Sequence, residues 1–392
     1  MDRYINILKE LKGDKAIWVI VLFLAFASLL AVYSAAGSLA YRYAAGNTEI
    51  YLLKHGFILG ASLILTYFCY RLHYMQYSKL APILLSAAIL LLVYTLLFGT
   101  EINEARRWIQ LPVLDISFQT SDFAKLALIV YVARAIAVKQ ENIKDLKGAF
   151  LPIILPIALI CGLIAPADLS TAALLFVTCM LMMFIGRIHL KYIFALIGIG
   201  VFVLLVLFAI AQVFPDAVRA TTWVSRVTEF FADTDGGYQI QQAKIAIARG
   251  EWFGVGPGNS IQRNYLPYPY ADFIYAIICE EYGLFGGLTI IALYLWLFFR
   301  CTAMVTKSPK AFGAILAMGL CLNLVIQAFS NIAVSVHLVP VTGLTLPFVS
   351  MGGTSILFTS VAFGIILSVS RYIELARLKY ATQELTPDEG DY

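Results

Sequence analysis

Charge is what this sequence most lacks. Asp, Glu, Lys and Arg make up 13% of its 392 residues, while hydrophobic residues make up 61%; a soluble globular domain carries roughly 25% and a little under half. That shortage excludes a protein whose main solvent is water. The six cysteines, Cys69, Cys161, Cys179, Cys279, Cys301 and Cys321, all fall in or beside apolar runs without paired spacing. They read as small buried hydrophobes, which excludes a disulfide framework and a thiolate metal site. The four histidines, His55, His73, His189 and His337, are scattered without ligand spacing, so a structural zinc site is excluded too. A net charge of +4 without a basic-aromatic pattern excludes a nucleic-acid groove. Internal repeats and low-complexity linkers are also missing, and the only disorder-like stretch is the acidic tail from Gln383 to Tyr392.

What is present is one apolar run after another. Crossing the hydrocarbon core takes about 20 helical residues. Spans are expected near 16–36, 52–70, 80–98, 121–138, 150–165, 171–186, 191–213, 272–299, 311–329 and 354–371. The fold class is therefore all-α, a polytopic membrane protein of about ten transmembrane helices. The segments 150–165 and 171–186 are short and set the uncertainty of the count. Residues 1–15 form an N-terminal segment, 16–371 the membrane domain with a large loop at 214–271, and 372–392 a C-terminal tail. With both ends placed in the cytoplasm, basic residues favour the cytoplasmic segments by about two to one, as the positive-inside bias requires. The first span is too long for a signal-peptide core, so it is expected to remain uncleaved.

Three longer connections on the outer face are where function can reside. Residues 99–120 contain Arg106-Arg107-Trp108, residues 214–271 hold their own secondary structure, and residues 330–353 are rich in Pro and Gly. Within the second, Tyr238 to Arg249 puts Ile240, Ala243 and Ile247 on one helical face and is expected to lie at the membrane interface. Gly250, Gly254, Gly256, Pro257 and Gly258 then break the helix. No Gly-Lys-Ser/Thr follows, so this run is a turn rather than a nucleotide loop. Asp233-Thr234-Asp235-Gly236 lacks the other ligands of a calcium loop and is likewise a turn.

Ionisable groups in hydrocarbon cost at least about 2.5 kcal/mol each, so those present should pair or face a wet cavity. Lys125 and Glu280-Glu281 are such groups, the glutamates roughly 12 to 14 Å along the eighth span at about 1.5 Å per residue. Asp272 stands where a polar loop meets that span. There it can cap the helix, or serve as a general base at the water boundary. Asp168, between the short spans, can equally be a helix cap. Arg106 and Arg107 beside Trp108 read as an interfacial anchor or as guanidinium forks for phosphate oxygens.

These residues resemble one family. Ala105-Arg106-Arg107-Trp108-Ile109 with Gln119-Thr120-Ser121-Asp122-Phe123-Ala124-Lys125, then Tyr265-Leu266-Pro267, Asp272-Phe273-Ile274-Tyr275-Ala276 and Glu280-Glu281-Tyr282-Gly283, are similar to runs of the SEDS proteins (shape, elongation, division and sporulation). The run from Pro340 to Ser355, with Ser350, Gly352 and Gly353, resembles that family's signature, and Thr342 to Pro347 is more like its FtsW branch than its RodA branch. The resemblance implies a glycosyltransferase that polymerises lipid II at the outer face of the bacterial cytoplasmic membrane, at the division septum. It implies a class B penicillin-binding protein as transpeptidase partner, other division proteins and membrane lipid around it. Asp272 would be the catalytic base. Arg106, Arg107, Trp108 and Lys125 would hold substrate or pyrophosphate, with Asp122, Glu280, Glu281, Ser350, Gly352 and Gly353 in support. Lys125 could instead pair with Asp272 at rest, and a divalent cation could assist although no motif demands one. Asn264 stands where a Glu is frequent, which puts a two-acid mechanism in doubt. A lipid II flippase and a non-catalytic division scaffold are the alternative readings.

Overall fold

The structure, a computed structural model, describes residues 12–37, 48–102, 105–111, 116–213, 220–231 and 237–385. Seven apolar helices come first in its bundle. They are α1 (Lys15–Ala35), α2 (Thr48–Arg71), α3 (Tyr74–Phe98), α4 (Thr120–Val138), α5 (Leu151–Ile164), α6 (Leu169–Ile185) and α7 (Leu190–Val213). Two shorter helices follow, α8 (Ala220–Phe231) and α9 (Tyr238–Gly250), and then α10 (Ile274–Val305), α11 (Ala311–Ser335) and α12 (Thr354–Leu385). Each expected span coincides with one of α1–α7 or α10–α12. Seven of these are long and apolar enough to cross a membrane, α5 counted with the π-helical turn Leu146–Phe150 that precedes it. α6 and the first part of α7 are shorter apolar helices. α4 is outside both groups because it carries Asp122, Lys125 and Arg134 along its length.

Helix positions follow from packing. α11 is the central post, with 83% of its most apolar stretch buried, against 28% for α2 and α3, which turn most of their side chains outward. α12 closes on α2 where Gly364 leaves no room for a side chain; an added Cβ would lie 2.5 Å from Cys69 Cβ and 2.7 Å from the Thr66 carbonyl. Thr66 Oγ1 accordingly bridges the helices, donating to the Ser62 and Ser360 carbonyls.

The structure departs from the sequence expectation in four places. The loop between α3 and α4 is not irregular: β1 (Thr100–Ile102), β2 (Ala105–Leu111) and β3 (Ile116–Gln119) form a three-stranded antiparallel sheet. Thr354 Oγ1 ties it to α12, accepting from Gln119 N and donating to the Ser117 carbonyl, both at 3.4 Å. α9 does not rest on lipid alone, since Ile240, Ala243 and Ala246 are packed with Ala35, Phe273, Ala276 and Ile277. α10 starts at Ile274, two residues after the expected start, which leaves Asp272 in the preceding turn. α12 continues as helix to Leu385, so most of the expected tail is a helical extension. The Asp233–Gly236 turn lies outside the described residues.

α10 is broken. Gly283 has φ 66° and ψ −164°, and an added Cβ would sit 2.4 Å from the Trp252 carbonyl carbon. The Gly-rich run lies against this break, with Val255 N donating to the Glu280 carbonyl, Gly256 N to the Glu281 carbonyl and Leu284 N to the Glu251 carbonyl at 2.9–3.0 Å. The Val255 and Gly256 amides are therefore spent on helix carbonyls and do not form a phosphate cradle.

Candidate active site

Asp272 occupies the turn that enters α10, and the 340–353 segment wraps around that turn through main-chain bonds. Asn331 Nδ2, from α11, donates to the Asp272 and Leu344 carbonyls, both at 2.7 Å. Ser350 Oγ donates to the Ala271 carbonyl at 2.6 Å and accepts from Leu346 N at 2.8 Å, and Met351 N donates to the Tyr270 carbonyl at 2.9 Å. Ser350 thus fixes the turn rather than facing substrate. Gly353 at φ 53° turns the chain into α12 just after Gly352, whose carbonyl accepts from Ser355 N. Tyr268 and Phe348 flank the turn with left-handed backbones, φ 57° and 64°, a conformation that non-glycine residues hold only where surrounding contacts enforce it.

The carboxylate itself is left free by this wrapping. The helix cap of α10 is Phe273, with no side-chain hydrogen bond, so Asp272 is not the cap. Among the described residues no donor reaches its oxygens, and Gly343 faces it so closely that an added Cβ would lie 3.8 Å from Oδ2. Asp272 is partly accessible but deeply set, and desolvation pushes its pKa from 3.8 up to about 6, opposed by Arg226 and Arg107 and reinforced by Asp168.

Those three charged residues come from separate elements. Arg107, on β2, donates from Nε to the Ala167 carbonyl at 2.8 Å and sets Nη1 3.1 Å from Asp168 Oδ2. Asp168 also caps α6, its Oδ1 accepting from Thr171 N at 3.0 Å, so one carboxylate does both jobs. Arg226, on α8, donates to the Val341 carbonyl at 3.2 Å. Sequence reading missed Arg226 entirely and left Asp168 as a possible cap, which it is; an arginine in a loop expected on the outer face, against the positive-inside bias, was the available signal. Trp108 is held by the sheet, opposite Gln119, with its carbonyl accepting from Thr100 Oγ1 at 3.0 Å. Arg106 is on β2 opposite Glu101, and its side chain lies outside the described residues.

The remaining expected residues are not gathered at Asp272. Lys125 pairs with Asp122 at 2.8 Å and reaches Gln327 Oε1 at 3.4 Å, beside a small polar cavity between α4, α11 and α12; its partner is Asp122, not Asp272. Glu280 and Glu281 are 0% and 1% exposed and serve the break in α10. Glu280 accepts from Ser260 Oγ, from Ile261 N at 3.0 Å and from Arg249 Nη1 at 3.4 Å. Glu281 accepts from Ser34 Oγ and from Ser260 N at 3.3 Å. Among the described residues no group of three or more His, Cys, Asp or Glu side chains is placed to hold a metal ion.

A bundle of apolar helices with a half-buried carboxylate, Asp272, in the turn before α10 and arginines of β2 and α8 acting on its charge is the architecture of a polytopic membrane protein. The model of the FtsW, RodA and SpoVE cell cycle proteins matches residues 14–375, and the chain belongs to that family. It is 34% identical over 351 residues to a probable peptidoglycan glycosyltransferase FtsW of Nitrosococcus halophilus, covering 85% of this chain and 86% of the relative. It is 33% identical over 370 residues to the stage V sporulation protein E of Bacillus subtilis, covering 93% and 98%. A solved peptidoglycan synthase complex, in a study of coordinated polymerisation and crosslinking, contains a chain with TM-score 0.71 and 26% identity, covering 92% and 98%. The RodA of Thermus thermophilus shares the fold, with TM-score 0.67 and 24% identity over 93% and 98% of the chains.

Proposed function

We propose that this chain is a peptidoglycan glycosyltransferase that polymerises lipid II at the outer face of the bacterial cytoplasmic membrane, with both termini in the cytoplasm and a place at the division septum. One observation carries the reading: a partly accessible carboxylate, Asp272, with its pKa pushed up to about 6 and no described donor occupying it. The names of the relatives support the reaction class. Ionised Asp272 takes the proton of the acceptor's N-acetylglucosamine 4-hydroxyl. That oxygen bonds to the anomeric carbon of the donor's N-acetylmuramic acid, and undecaprenyl pyrophosphate leaves with the bonding pair. Positioned proton transfer supplies about 10²- to 10⁴-fold of the rate. Arg107 and Arg226, with Arg106, are the cations for the charge that grows on the leaving pyrophosphate. Lys125 stands apart, its charge held by Asp122. A class B penicillin-binding protein is the proposed transpeptidase partner, in keeping with the synthase complex that the fold resembles.

The test is lipid II polymerisation by purified protein together with its partner. Asp272→Asn should abolish glycan chains, and an unchanged rate would end the general-base reading. In sealed vesicles, labelled lipid II that crosses the bilayer without forming glycan would identify a transporter instead; neither transport nor glycan would leave the scaffold.

A further inference from the structure

The end of the bundle opposite Asp272 holds a cavity of about 610 Å³, within the range that small-molecule sites occupy. Its walls are the C-terminal part of α10, the helical extension of α12 and the Gly13-Asp14 turn before α1. Three cations line it, Arg300, Lys307 and Arg377. Arg300 is committed to Asp14, at 2.8 Å through Nε and 2.6 Å through Nη2, and Glu374 accepts from Gly13 N. Among the described residues no anion pairs with Lys307 or Arg377. One ion pair and one main-chain bond tie the walls together, and Lys307 and Arg377, against the one further carboxylate of Glu374, leave the cavity net positive.

The α10 wall says what kind of ligand. Trp296, Arg300 and Ala303 recur at steps of four and three on one face of α10, and Lys307 stands in the turn just past its end. Below the cavity that face runs into Trp296 and its neighbour Phe299, which are 42% and 63% exposed on the bundle's outer surface. An exposed aromatic pair, Trp296 and Phe299, next to a cavity with unpaired cations fits an amphiphile, with its chains along the aromatic pair and its anionic head in the cavity; Trp commonly marks the headgroup level. A freely soluble anion would use the cations and leave the aromatic pair uncovered. We propose that this cavity binds the phosphate headgroup of an anionic phospholipid, selected by Lys307 and Arg377. Basic pockets between transmembrane helices on the cytoplasmic side are suited to such heads.

Native mass spectrometry of the full chain in mixed phosphatidylglycerol and phosphatidylcholine nanodiscs tests this. The protein should retain phosphatidylglycerol in preference. Lys307→Gln and Arg377→Gln should each lower that preference about fivefold and the double variant about 25-fold, while Arg377→Lys retains it. The control pair Lys144→Gln and Lys147→Gln, basic but outside the cavity, should leave it unchanged. Soluble glycerol phosphate should not displace the bound lipid. An undiminished preference in the double variant overturns the proposal, as does an equal fall in the control pair. Displacement by glycerol phosphate would show a site for free phosphates and overturn the lipid assignment. An unchanged melting temperature in each variant separates loss of binding from loss of fold.

Discussion

Arg107 and Asp168 form an ion pair of 3.1 Å between the three-stranded sheet and the start of α6, and they bias the charge of Asp272 in opposite directions. Asp168→Asn keeps the cap, because an amide oxygen can still accept from Thr171 N, but removes the negative charge. The acid limb of the pH–rate profile should then move to lower pH, with the rate at pH 7 falling about tenfold as Arg107 loses its anchor. Loss of rate with an unmoved limb would show that Asp168 acts only through structure.

Asp272 itself sets a pH dependence. The base must be ionised, so polymerisation should rise from pH 5 to 7 with an apparent pKa near about 6. Asp272→Asn should remove both the limb and about 10²- to 10⁴-fold of the rate.

The same carboxylate should cost stability. Its folded pKa is raised from 3.8 to about 6, so the protonated form is favoured on folding and the penalty develops as pH rises through that window. Asp272→Asn should therefore be more stable than the parent above pH 7, by up to about 3 kcal/mol, and no more stable below pH 3.5 or so. Melting curves at the two pH values check the sign; greater stability at low pH alone would contradict it.

Asn331→Ala removes the two donors that hold the Asp272 and Leu344 carbonyls, leaving both buried acceptors without that partner. Stability should fall by about 2–4 kcal/mol. The turnover number should fall more than the affinity for lipid II changes, since the base loses its position while the arginines keep theirs. A variant that melts lower yet turns over normally would show that the clasp is structural only.

Gly283→Ala should fail to accumulate as folded protein, because the added carbon would meet the Trp252 main chain at 2.4 Å in a left-handed backbone. Gly60→Ala, where nothing lies within 4 Å of the new carbon, should stay within about 0.5 kcal/mol of the parent. Detergent-extracted yield and melting temperature distinguish the two.

The spans were legible because a run of some 20 apolar residues is a signal carried by consecutive residues. Asp272 was legible for a related reason, as a carboxylate where such a run begins. What escaped was convergence. Arg107, Asp168 and Arg226 are far apart in sequence and come to act on Asp272 together only when β2, α6 and α8 are in place. The sheet escaped too: Ala105–Leu111 is short, and its arginines and Trp108 read equally well as a membrane anchor. Lys125 was assigned by its depth in a span, whereas the structure gives it an acid one helical turn away, at Asp122. Glu280 and Glu281 were open to structural pairing or to a wet cavity, and the structure pairs them, as acceptors for a loop that enters the helix break.

That break joins two parts of the molecule mechanically. Peptide groups on each side of Gly283 are completed by the stretch from Glu251 to Gly256, so separating them would leave bare amides and carbonyls in apolar surroundings. α9 cannot lift off alone; it must carry the first turns of α10 with it. A tug on the Glu251–Gly256 loop by a neighbouring protein would then be felt at Asp272, in the turn that enters the same helix, much as a handle riveted to a lever moves its tip.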